Sequence, residues 1–139
     1  DLNDLKKVRF IYAASAEHQL YVQCYTQYDL MTICDFNGNL KCNIYGPKWV
    51  NEKTQTQHYS LGVEFCGDKI LALYSGGDHR TDAYYPTKFL VFDLNGNYLK
   101  TLETGYMITD FCYDKENNRL IINLNDEIQF AYLDLEGII

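Results

Sequence analysis

The residues best suited to chemistry crowd one stretch of this chain, Ser75 to Thr87, where Asp78, His79, Arg80, Asp82, Tyr84 and Tyr85 fall within eight positions. Asp78, His79 and Asp82 carry the carboxylate and imidazole groups from which metal sites are built. Neighbours on one loop converge on an ion only when a second element holds them, so no metal is assigned. The stretch is the first candidate for a binding site, since binding residues gather on loops of rigid scaffolds, while a solvated loop that merely tolerates insertion is the favoured reading of it. Trp49, the only tryptophan, stands in a polar linker and is the second candidate. An aromatic there lines a ligand surface or plugs a gap between packed units.

Other constellations fall short of a site. Asp35-Phe-Asn-Gly-Asn39 and Asp93-Leu-Asn-Gly-Asn97 place oxygens at alternating positions, like the start of a calcium loop. Their glycine stands fourth instead of sixth, and Gly46 and Thr104 occupy the twelfth position, where a calcium loop has Glu. Leu73-Tyr-Ser-Gly-Gly77 lacks the first glycine of a nucleophile elbow, so no catalytic residue is assigned. His18, His58 and His79 are expected in turns or loops, and Asp126 and Glu127 in a solvent-facing hairpin turn. The five cysteines form no Cys-x-x-Cys pair and mostly fall in expected strands, which favours free thiols over disulfides or zinc. No cofactor is implied.

The elements that would position such residues are strands. Of 139 residues, 13 are Tyr and 7 Phe against only 2 Pro, a bias that suits pleated, half-buried surfaces. Leu20, Val22 and Cys24 alternate with Tyr21, Gln23 and Tyr25, as one buried sheet face requires. A net charge of −7 and the lack of a basic patch argue against a nucleic-acid partner. The apolar runs, such as Ile70 to Tyr74, are too short for a membrane span.

The chain repeats a hairpin phrase. Val91 to Gly105 reads as two strands around an Asn-Gly turn, Ile33 to Lys41 repeats it, and Tyr132 to Gly137 gives a clipped copy. The turn glycines Gly38, Gly96 and Gly137 lie 58 and 41 residues apart. The linker over 47–58 and the excursion over 75–87 account for the longer interval. The remaining period of about 40 residues is that of a four-stranded propeller blade. The fold class is therefore all-β, with β-propeller blades at 8–46 and 59–105 and an incomplete blade at 106–139.

Three phrases carry a family resemblance: Val91-Phe-Asp-Leu-Asn-Gly-Asn-Tyr-Leu99, Phe111-Cys-Tyr-Asp-Lys-Glu-Asn-Asn-Arg-Leu120 and Asp126-Glu-Ile-Gln-Phe-Ala-Tyr-Leu-Asp-Leu135. In these, chiefly over 60–139, the chain resembles the TolB-like six-bladed propellers. The resemblance implies an exported protein of the periplasm or cell envelope. It also implies that these blades are the C-terminal half of a ring, completed by further blades of the same polypeptide. Two copies closing one ring are the alternative.

Three function classes follow. The first is a non-enzymatic binding module that presents loops to a protein, peptide or glycan. The second is a hydrolase or lyase with its active site in the central funnel, partly formed by other blades. The third is a structural part of an envelope assembly. Charged groups converging at the axis favour the enzyme; an aromatic patch on a ring face favours the binder.

Overall fold

The computed structural model describes residues 8–78, 80–81 and 85–139. Among these the chain is all-β, in three antiparallel sheets. The first sheet runs in order β1 (Phe10–Ser15), β2 (Leu20–Tyr25), β3 (Leu30–Asp35) and β4 (Leu40–Tyr45). The second follows as β5 (Thr56–Cys66), β6 (Lys69–Asp78), β7 (Lys88–Asp93) and β8 (Tyr98–Glu103). The third holds β9 (Ile108–Asp114), β10 (Arg119–Leu124) and β11 (Phe130–Asp134). No described helix is long and apolar enough to cross a membrane.

Each sheet is an up-and-down meander, and β5 packs beside both β1 and β9. The first strands of the sheets are thus neighbours at a common axis, while β4, β8 and β11 lie outermost. This is the arrangement of propeller blades.

Side-chain alternation sets the packing. Leu20, Val22 and Cys24 on β2 and Met31 and Ile33 on β3 face the second sheet, which answers with Ile70, Ala72, Tyr74 and Phe92. The second sheet turns Leu71, Leu73, Phe89 and Val91 the other way, onto Ile108, Phe111, Leu120 and Ile122 of the third. Ile70 to Tyr74 is an unbroken apolar run because both its faces are covered. Phe89 and Phe111 meet edge to face at 4.9 Å between ring centres.

The outward faces of the end sheets remain open. The first sheet's carries Phe10 and Tyr12 beside Tyr21 and Tyr25, with Tyr12 71% exposed. The third's carries Cys112, Ile121, Phe130 and Tyr132, with Tyr132 70% exposed.

The hairpin turns work without a metal. Gly38 and Gly96 take φ of 84° and 86°, where a side chain is strained. The Asp35 carboxylate accepts the backbone N–H groups of Asn37 and Asn39, each at 2.9 Å, and the Asn39 amide at 3.1 Å. Asp93 repeats all three bonds with Asn95 and Asn97. The donors of their own turns hold both carboxyls below the usual range.

The bounds of the second blade's strands differ from the sequence reading. The second blade's first hairpin extends outward, with Thr56 opposite Asp78 and Gln57 opposite Gly77, so strand takes in residues assigned to the linker and the excursion. Backbone pairing asks nothing of side-chain polarity, and polar residues concealed it.

Candidate functional site

The structure gathers one set of polar groups between the first two sheets, at the end where the long connections lie. Asp29 closes the turn from β2 to β3 and is only 1% exposed. Its carbonyl accepts the Gly46 N–H at 2.8 Å, and its Oδ2 accepts the Lys48 N–H at 2.9 Å. Its Oδ1 is buried with no hydrogen-bond partner among the described residues. A buried carboxylate oxygen left so costs free energy until a donor reaches it.

His58 on β5 is 2% exposed, correcting the expectation that it lies in a loop. Its backbone N–H donates to the Thr26 carbonyl at 2.7 Å, and its Nδ1 also lacks a described partner. Burial lowers its pKa, the Asp29 carboxylate acts against that, and Lys48 reinforces it. Burial, followed by the Asp29 charge and a hydrogen-bonding interaction with the Asp29 carboxylate, pushes the Tyr74 phenol up, and burial does the same for Tyr59. Tyr59 and Tyr74 meet edge to face at 5.2 Å, and the His58 ring lies 6.3 Å from Tyr74.

Asp29, Tyr59 and Tyr74 border a cavity of about 340 Å³, open at its mouth. Ile44 and Tyr45 of β4 form one wall; Lys88, Leu90, Tyr98 and Thr101 of β7 and β8 form the other. That volume is in the range of small-ligand pockets, and an apolar wall with a few convergent polar groups is their usual make-up. The corresponding gap between the second and third sheets, about 430 Å³, borders on an exposed carboxylate, Glu103, and on no buried one. The buried acid therefore belongs to the first gap in particular.

Both sequence candidates lie at this end of the sheets. The half-buried Trp49 packs edge-on against Tyr45 at 4.9 Å and lies 5.9 Å from Tyr28, forming an aromatic group beside the cavity mouth. Lys48 Nζ donates to the Gly76 carbonyl at 3.2 Å and so ties the linker to the foot of the excursion. Asp78 ends β6 and binds Arg80, taking its Nη2 at 2.6 Å and its backbone N–H at 2.9 Å. Tyr85 is half-buried near β7. His79, Asp82 and Tyr84 lie outside the described residues.

The sequence reading missed Asp29, His58 and Tyr74. Asp29 was hidden in a turn, where an acid is ordinary, and Tyr74 in an apolar strand. The one available signal was Gly46, a glycine where the chain leaves β4 against the Asp29 turn.

The described residues contain no group of three or more His, Cys, Asp or Glu able to hold a metal ion. The five cysteines are free; Cys24, Cys34 and Cys66 are buried and Cys112 is exposed.

A second polar feature lies at the axis. Glu64 of β5 and Asp110 of β9 share a groove of about 350 Å³ with Tyr12 and Leu61. Burial, aided by the Asp110 charge, raises the Glu64 carboxyl. Leu61 there sits in a β5 bulge at φ 71°, a strained conformation for a side-chain-bearing residue.

No family model matches the chain, and no curated protein is similar enough to inform it. Among solved structures it is similar to a protein of unknown function from Bacteroides caccae, solved at 1.35 Å resolution. The identity is 13% and the TM-score 0.52, over 86% of this chain and 39% of that one. The likeness is one of fold, and the chain spans well under half of that protein's length.

Proposed function

We propose that this chain is part of a non-enzymatic binding module, built on a six-bladed TolB-like propeller of an exported, periplasmic or envelope protein, with its ligand held between the first two blades. The observation that carries the reading is Asp29, a buried acid whose Oδ1 has no hydrogen-bond partner among the described residues, in the lining of an aromatic cavity. Both walls come from sheets within this chain, so the site needs no other blade. The open aromatic faces of the end sheets support a larger ring, since a neighbouring blade is what covers such a face.

Ligand-observed NMR with a library of small polar compounds tests the reading. Binding that is lost in Thr101→Trp, which fills the cavity mouth from an exposed position, supports it. A library without binders, or binding indifferent to that change, overturns it.

The Glu64 and Asp110 pair favours a second reading, a hydrolase or lyase acting at the axis. A carboxyl raised by burial beside a second carboxyl group is an acid and base arrangement. Turnover of an ester, glycoside or uronide substrate that Glu64→Gln abolishes would support it.

A further inference from the structure

Resting on the binding reading above, we infer that the ligand of the inter-blade cavity is a saccharide unit, one of whose hydroxyls donates to Asp29 Oδ1. Three features of the cavity point to that chemistry.

The first is hydrogen-bond polarity. Asp29 Oδ1 is an acceptor without a donor, and Lys88 at the cavity wall is a donor. A ligand serving both must donate at one point and accept at another. A hydroxyl does either, and a sugar carries several.

The second is charge. Asp29 is the one carboxylate among the residues that border the cavity, and the Lys88 ammonium borders it too, so the lining carries no surplus negative charge to hold a free cation. The Lys88 ammonium itself stands over the Tyr74 ring at 5.7 Å, where a cationic ligand would gain its aromatic contact. A neutral ligand escapes this repulsion and still receives a charge-assisted bond from Asp29.

The third is shape. Tyr45 and Tyr98 are exposed at the mouth, and Tyr45 continues into Trp49 and Tyr28 outside it. A pyranose presents C–H groups on one face and hydroxyls at its rim, and aromatic faces are electron-rich partners for such C–H groups. One unit fills the cavity, and a second reaches the Trp49 group.

Saturation-transfer NMR on the protein tests this with methyl α-mannoside, methyl β-galactoside, methyl β-glucoside and, as cationic control, butylammonium. The expected result is transfer to at least one glycoside, none to butylammonium, affinity at least tenfold weaker in Asp29→Ala, and loss of transfer in Thr101→Trp. Thr101→Trp keeps the test valid should Asp29→Ala fail to fold. A disaccharide bound more tightly than its methyl glycoside assigns the site to a glycan chain, and equal affinity to a free sugar; both support the inference. Transfer to butylammonium alone, lost in Thr101→Trp, overturns the saccharide and keeps the binding site. Silence from every probe overturns the saccharide, whereas the binding reading falls only with the wider library.

Discussion

The Asp29 carboxylate occupies the space that a side chain on Gly46 would need: a Cβ built there falls 2.0 Å from Oδ2 and 2.2 Å from Oδ1. The close approach lets the turn before β3 and the exit from β4 bury one acid between them.

Gly46→Ala is therefore expected to displace the Asp29 carboxylate and the Lys48 N–H bound to it. Overpacking of this kind costs about 1–3 kcal/mol. Urea denaturation of the variant beside the parent measures it, and a change below about 0.5 kcal/mol would show that the acid is not so confined.

Gly38 and Gly96 share a backbone conformation and differ in surroundings. A Cβ on Gly38 meets nothing within 4 Å, whereas one on Gly96 lies 2.8 Å from Cys42 Sγ and 3.1 Å from Ile44 Cδ1. Gly38→Ala should lose about 1 kcal/mol to backbone strain alone. Gly96→Ala should lose more, because the tip of one blade rests on the outer strand of the other. Equal losses would contradict that contact.

His58 makes stability depend on pH. Its folded pKa lies below the usual 6.5, so the unfolded chain takes the proton first. Its contribution is complete above pH 6.5 and is lost as pH falls toward the folded value. Asp29 and Lys48 are the charged groups that bear on it, and they pull in opposite directions. The denaturation midpoint should decline between pH 7 and pH 5, and the decline should flatten in His58→Phe. An unchanged slope would mean that another group carries it.

Cys112 reports on the open face of the third sheet. In these 139 residues alone it should be the first thiol to react with a disulfide reagent, since Cys24, Cys34 and Cys66 are buried and Cys42 is half-buried. In a protein where further blades complete the ring, it should be protected until unfolding. Rapid reaction in that larger protein would contradict a ring closing over this face.

The fold was legible because strand pattern and turn chemistry are local. Leu20, Val22 and Cys24 announced a buried face, and two Asp-x-Asn-Gly-Asn turns announced the hairpins. The extension of β5 and β6 was not legible, since Thr56 and Gln57 pair through their backbones. The site was hidden for a related reason. Asp29, Gly46, His58 and Tyr74 come from four separate elements, and what sets Asp29 apart is burial produced by packing two sheets. The linker and the excursion were legible as loops, but nothing in them foretold that Lys48 would bridge the two.

The central claim is that Asp29 Oδ1 is kept for a ligand, and the most direct measurement is a high-resolution crystal structure of the protein soaked in the glycoside that binds it. A sugar ring is expected between Tyr45 and Tyr98, with one hydroxyl about 3 Å from Asp29 Oδ1. A tightly ordered water on Oδ1 that stays in place at saturating glycoside, with the cavity otherwise unchanged, would contradict it.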